Sequence, residues 1–372
     1  MLRTLPSLIT EKAALSVAGA GLLRYAMGPA LIGAGADATV VIVESGDNPK
    51  VSGVQDSLWV LLRGDRIPEL HSRFEFRGAL PIHVFARLEE GCLPLGTAQC
   101  RAMPSAPAYF DRAELRLSQP LTREMLDAVR PVPSPGPVPD VDWIDLVESD
   151  PSRALESFVL GWFPEAESAD DETTANELDN LPEALAAFHR LARLRPAIHR
   201  FIDPVLKKPR RASGPLGDRL IFAMWNGASR DWSIPWPLNK PDEPDPRVWF
   251  TEDPDDPNPE TTLEEEPLSR FLLQFTLNGA MSVAPYGART YCMPTARLDA
   301  LWKLLRPVPL SPFMPTYAAE RFFAAPGLLA RVSGDEDEDE DEDEAIVGFS
   351  ALHRGTLTPL LEHGFRWHRF GG

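Results

Sequence analysis

Proline limits what this chain can build. There are 38 in 372 residues, roughly twice the average usage. Each proline inside a helix removes a backbone donor and clashes with the preceding turn. Long helices are therefore excluded over most of the chain, and many connections are stiff loops. The densest cluster, Arg130 to Asp140 (RPVPSPGPVPD), has five prolines in eleven residues and reads as an extended, semi-rigid linker. It divides the chain into a mainly β domain over 1–130, a Pro-rich and acidic linker region over 131–180, and a second domain over 181–372. The length is enough for two hydrophobic cores.

Within the first domain, the small-residue-rich opening predicts one or two packed helices before a strand at Thr39 to Val43. From Leu58 to Leu117 the text turns strand-like: LWVLLRG, FEFRG, LPIHVFARLEEG, LGTAQCRA and AELRLS, separated by Gly, Pro and Asp. Short runs with turn signals fit an antiparallel sheet or small barrel. Thr122 to Val129 predicts a closing helix. Between Asp140 and Asp179 the chain is acidic, with Trp143 and the apolar cluster Phe158 to Phe163 offering something to bury, and Glu165 to Asn180 reads as a mobile loop.

The second domain opens with a capping-box pattern, Asn180 followed at the third position by Glu183. Leu181, Leu185, Phe188 and Ala192 then recur at helical spacing. Further helices are expected over Pro267 to Met281 and Thr295 to Leu305, the latter with Trp302 inward. Strands are expected at Leu328 to Val332 and Ala345 to Phe349, with a short helix from Thr358 to Glu362 ending near Gly364. Asp218 to Phe250 holds four of the nine tryptophans, Trp225, Trp232, Trp236 and Trp249. It reads as a hairpin turning at Asn226-Gly227, then a third strand at Arg247 to Thr251. The fold class is α+β, a mostly β first domain followed by a small antiparallel sheet packed by helices.

Charge and motif content narrow the function. A formal net charge of −18 disfavours nucleic acid as a partner and favours cationic proteins. The basic island Lys207 to Arg211 reads as a solvated or salt-bridging loop. The alternating Asp335 to Glu344 run repels itself and lacks the turn glycine of a calcium loop, so it reads as a solvated insertion. Three cysteines give neither a disulfide framework nor paired zinc ligands, which fits a reducing, cytoplasmic setting. Ala13 to Val43 is interrupted by Arg24 and Asp37 and is too broken to span a membrane. Gly19-Ala20-Gly21 lacks the rest of a nucleotide loop. No nucleophile motif is present, and His71, His83, His363 and His368 lack metal-ligand spacing. No cofactor or metal is expected.

From Leu181 onward the chain resembles the SUKH superfamily, which includes bacterial toxin-immunity proteins. LPEALAAFHRLARLRPAIHRFIDPVL is similar to the opening helix of that family. IFAMWNGASRDWSIPW is similar to its strand pair, with only Asn226 and Gly227 kept from the usual acidic-Asn-Gln-Gly stretch. DPRVWF resembles its Asp-Pro-Pro-Val strand, with Arg247 in place of the second proline, and LSRFLLQFTLNGAM resembles the helix that packs on the sheet. The resemblance covers about half the chain and implies a non-catalytic protein-binding module that neutralises a basic toxin domain through an acidic rim. The residues it singles out for binding are Trp225, Asn226, Trp232, Trp236, Asp245 and Trp249. Strand alternation turns Trp232 and Trp236 toward the core and leaves Trp225 and Trp249 for exposure. The alternative is an enzyme or small-ligand binder with its site in the first domain, around Asp65, His71 and His83.

Overall fold

The computed structural model describes residues 6–46, 52–75, 80–131, 138–165, 181–199, 201, 204–214, 217–225, 230–237, 245–254, 256, 259–291, 293–294, 298–299, 301–314, 319–334 and 344–371. The chain is α+β and divides into two compact units, Met1–Pro135 with Arg369–Gly372, and Gly136–His368.

In the first unit a six-residue helix, α1 (Glu11–Ser16), is capped by the Thr10 hydroxyl. The strands are β1 (Leu23–Met27), β2 (Ala30–Ala34), β3 (Thr39–Glu44), β4 (Gly53–Val54) and β5 (Trp59–Arg63), then β6 (Ile82–Leu88), β7 (Gly91–Ala102) and β8 (Arg112–Leu117). A short helix α2 (His71–Phe74) precedes β6, and α3 (Arg123–Val129) starts at the Thr122 cap. The eight strands form one sheet in the order β1-β2-β3-β6-β7-β8-β5-β4, antiparallel except where β3 meets β6. Where a second packed helix is expected, the chain forms the β1–β2 hairpin instead. Gly28, at φ +58°, makes that reversal, and a Cβ there would lie 2.5 Å from the Arg63 carbonyl oxygen, so the turn accepts only glycine without strain.

The second unit corrects the expected linker. Asp142–Leu146 forms a 3-10 helix and Pro151–Trp162 forms α4, capped by Asp150 with Pro151 in its first turn. Their Trp143, Leu155, Phe158 and Trp162 side chains join the hydrophobic core. Acidic residues here occupy only the solvent side of an amphipathic helix, which composition alone cannot separate from a solvated linker. The next helix, α5 (Glu183–Leu194), has Pro182 in extended conformation at its cap position; Asn180, expected to cap it, lies outside the described residues.

A five-stranded antiparallel sheet follows: β9 (Val205–Gly214), β10 (Gly217–Trp225), β11 (Arg230–Pro235), β12 (Arg247–Glu252) and β13 (Thr261–Pro267), in the order β13-β12-β11-β10-β9. The hairpin residues 226–229 lie outside the described residues. Helix α6 (Leu268–Val283) is buried almost all round, with Leu268, Phe271, Leu272, Phe275 and Leu277 in the core. It packs on β12 and β13, on α4 and α5, and on the second sheet of this unit. Each fully buried Leu or Phe contributes roughly 1.5–3 kcal/mol, so α6 is the main apolar support of the unit. Gly279 lets α6 approach Phe201, whose ring a Cβ would meet at 2.1 Å.

That second sheet comprises β14 (Tyr286–Thr290), β15 (Met293–Pro294), β16 (Arg306–Pro307), β17 (Arg321–Ala325), β18 (Leu328–Gly334), β19 (Glu344–Ala351) and β20 (Trp367–Phe370). It runs β16-β17-β18-β19-β14-β20, with β15 on β19. Strands β18 and β19 pair from Leu328↔Ala351 to Gly334↔Ala345; the acidic run between them, 335–343, lies outside the described residues. The helix expected over Thr295 to Leu305 is absent among the described residues, which form turns and a short 3-10 stretch. Trp302 is exposed rather than inward and stacks on Phe323 at 4.1 Å. The last expected helix is a 3-10 helix, Arg354–His363, ended by Gly364.

Candidate functional site

The five-stranded sheet has one face on α6 and another turned away from it, and register assigns each tryptophan to a face. Trp232 pairs with Ala223 and Phe250 and is 1% exposed. Its ring lies against Phe250, Phe271, Phe275 and Phe313, and its Nε1 donates to Glu264 Oε1 at 2.8 Å. That bond satisfies the one polar atom of a buried indole. Burial pushes the Glu264 carboxyl above its ordinary range, and the Trp232 N–H opposes the shift. Trp232 is a core residue and is removed from the candidate binding set.

Trp225 is also on the core side. It is half-buried, packs 5.8 Å from Phe250 and 6.3 Å from Trp232, and is covered by the Arg230 guanidinium at 4.6 Å. Its expected exposure is corrected: the irregular register between Ile221 and Ala223 shifts the alternation of β10 and turns Trp225 inward. Asp245 is corrected as well. Its Oδ1 accepts from Ser269 N at 2.8 Å and its Oδ2 from the Ser269 hydroxyl at 2.6 Å, so both oxygens serve the first turn of α6. Asn226 lies outside the described residues.

Of the set only Trp249 is exposed, and Trp236 is half-buried against the core, the side on which strand alternation places it. Trp249 is 38% exposed and sits opposite Ser233 and Leu263, on the face away from α6. Trp236 follows β11, is half-buried, and donates its backbone N–H to Asp218 O at 2.9 Å. The Arg211 guanidinium lies 5.7 Å from the Trp236 ring centroid, a cation–π arrangement. Arg211, Ala212, Ser213, Asp218, Arg219, Trp236 and Pro237 surround a cavity of about 420 Å³. Arg219 is held there by Asp231 at 3.2 Å and by the Thr251 hydroxyl at 3.0 Å. The charged side chains among these lining residues are Arg211, Asp218 and Arg219.

The basic island is the outer strand β9 rather than a loop. Lys207, Lys208, Arg210 and Arg211 are exposed on it, interrupted by Pro209. Charge and proline on an edge strand are usual devices against edge pairing. The run shows no period-2 apolar pattern, and that combination of edge signals was the only clue the sequence offered.

The alternative site in the first unit does not assemble. His71 is buried, with Nε2 3.2 Å from Pro104 O and Nδ1 3.1 Å from Glu75. His83 is half-buried on β6 and Asp65 is exposed; no hydrogen bond or ion pair among the described residues joins the three. Among the described residues no three His, Cys, Asp or Glu side chains are grouped to hold a metal ion. The Cys92 and Cys100 thiols are free and buried. Burial pushes Cys100 up to about 11 and raises Cys92, so neither is a ready thiolate at neutral pH. Among the described residues no helix is long and apolar enough to cross a membrane.

The chain matches no family model, no curated protein and no solved structure.

Proposed function

We propose that the chain is a non-catalytic protein-binding module of the immunity type, binding and neutralising a toxin domain through the five-stranded sheet of Gly136–His368. Trp249 carries the reading: a large aromatic ring left 38% exposed on the sheet face away from α6, where folding does not require it. Exposed aromatics on a rigid sheet are the anchors that interfaces use. The sequence resemblance to the SUKH superfamily supports the same reading, as does a sheet lying between two helices in the order α5, β9, β10, β11, β12, β13, α6. Trp236 is the second anchor. Trp225, Trp232 and Asp245 support the sheet from behind.

The test is affinity capture from the native host with the wild type and Trp249→Ala, then growth rescue by coexpression with the captured protein. The expected result is a partner that is toxic when expressed alone, relieved by the wild type, and bound about 30-fold more weakly by Trp249→Ala, matching roughly 2 kcal/mol for a lost anchor. A partner indifferent to Trp249, or one whose toxicity the wild type leaves unchanged, refutes the reading.

A further inference from the structure

The cations of the five-stranded sheet gather at its outer strand, β9, which carries Lys207, Lys208, Arg210 and Arg211. Strands β9 to β12 carry seven Lys and Arg side chains against three carboxylates, Asp218, Asp231 and Glu252. Strand β13 adds Glu264, Glu265 and Glu266 and no cation, so the whole sheet has seven cations against six carboxylates and the surplus of four lies on its β9 side. The three carboxylates of β9 to β12 are already engaged. Asp231 is buried against Arg219, Glu252 pairs with Arg230 at 2.9 Å, and Asp218 accepts from the Ser213 hydroxyl at 2.6 Å. Among the described residues no carboxylate lies within ion-pair distance of Lys207, Arg210, Arg211 or Arg247.

We propose that strand β9 and the Trp236 cavity at its end form a docking site for an acidic segment of a partner protein, an extended run of Asp and Glu bearing one apolar or aromatic side chain. The carboxylates face Lys207, Arg210 and Arg211, and the apolar side chain enters the cavity of about 420 Å³ beside the Trp236 ring. This deepens the protein-binding reading and rests on it, because it gives the chemistry of the partner segment.

Several observations fix the occupant. Edge protection alone accounts for Lys207, Lys208 and Pro209. It does not account for a concave site at the end of the strand, with one guanidinium over an indole and a second held in place by Asp231 and Thr251. Pro209 has no N–H, so a bound segment cannot pair with the whole backbone edge, and side-chain charge carries the recognition. Nucleic acid is the poorer occupant: its affinity grows with the number of phosphates neutralised, and a long polyanion would run beyond the patch onto an acidic protein. A short acidic segment contacts only the patch.

The probe is a fluorescein-labelled (Glu)4-Phe-(Glu)4 peptide, titrated by anisotropy in low salt. Its comparators are (Lys)8, (Glu)8 and a 12-nucleotide single-stranded DNA. The wild type should bind the Phe-containing acidic peptide saturably, and added salt should weaken binding, because exposed charges are screened. Arg210→Glu with Arg211→Glu should weaken it by 10-fold or more, while Lys303→Glu, on a separate exposed turn, should leave it unchanged. Trp236→Ala should cost the Phe-containing peptide more than (Glu)8. The arginine and lysine variants should melt with the wild type, since Arg210, Arg211 and Lys303 are exposed, and the comparison for Trp236→Ala is made below its own melting temperature. Absence of saturable binding, equal binding by the double variant, or tighter Arg-dependent binding of the DNA each overturns the proposal. If the peptide binds while host capture yields no Trp249-dependent toxic partner, the immunity reading fails alone. A Trp249-dependent toxic partner with no peptide binding refutes only the acidic segment.

Discussion

Replacing His189 with leucine should flatten the acid side of the stability curve. His189 lies on α5 at 4% exposure, with its ring 5.9 Å from Phe188 and 5.8 Å from His199. Its Nε2 has no hydrogen-bond partner among the described residues. Burial first, then the charges of His199 and Arg193, lower its pKa from 6.5 to about 4. The folded state therefore holds it neutral, whereas the unfolded chain takes up a proton as pH falls through the ordinary histidine range. Stability is complete above that range and is lost on the way down toward pH 4. With about 1.4 kcal/mol per pKa unit, the full linkage is about 3.4 kcal/mol, of which about 2 kcal/mol is lost between pH 7.5 and pH 5. Trp59 is the only tryptophan outside Gly136–His368, so indole fluorescence in urea reports mainly on the unit containing His189. His199, lowered by its own burial, titrates in both proteins and largely cancels in the comparison. The wild type should lose about 2 kcal/mol more than His189→Leu over that interval. At pH 7.5 the variant should be at least as stable, because a buried nitrogen without a partner costs roughly 1–3 kcal/mol. Parallel pH profiles for the two proteins would refute the reasoning.

The remaining predictions separate packing from binding. Trp232→Ala should cost roughly 3–5 kcal/mol in urea denaturation, whereas Trp249→Ala should change stability by less than about 1 kcal/mol. Equal losses would make Trp249 part of the core. Asp245→Ala should cost about 1–2 kcal/mol by removing the acceptor of two bonds at the start of α6; amide exchange at Ser269 should rise, and peptide binding should persist. Gly279→Ala should destabilise by roughly 1–3 kcal/mol through overpacking against Phe201, despite alanine's higher helix propensity. A gain in melting temperature would mean Phe201 moves aside freely.

Much of the second unit was legible where one apolar pattern had one meaning. The 3.6-residue recurrence of Leu268, Phe271, Leu272 and Phe275 has no good reading except a packed helix, and α6 follows it closely. The strands around Trp232 and Phe250 were legible for the same reason. The acidic segments on either side hid α4, whose only acidic residue is Glu156, while Leu155, Phe158 and Trp162 do the packing. The opening hairpin was hidden by small residues, since Ala and Gly runs fit helix and strand equally until Gly28 fixes a turn. The site was less legible than the fold. Alternation placed Trp232 correctly and failed at Trp225, because a register shift between Ile221 and Ala223 cannot be read from one strand. Arg211 and Trp236 lie 25 positions apart and meet only through the β9–β10 pairing, so no local pattern announces the cavity between them.

The two ends of the five-stranded sheet differ in a way that governs self-association. Beyond β13 the segment through Ser311 is tied down by Ser311 N to Glu266 Oε1 and by Gln274 to Ser311 O. Beyond β9 no strand follows in the order of the sheet. Filaments grow when each subunit offers two complementary edges, so that every addition renews the growing tip. The β9 end is cationic and broken by Pro209, so two copies meeting β9 to β9 would repel and could not pair along the whole edge. Pairing of copies through β9 is therefore disfavoured, and that edge is left to an occupant of opposite charge.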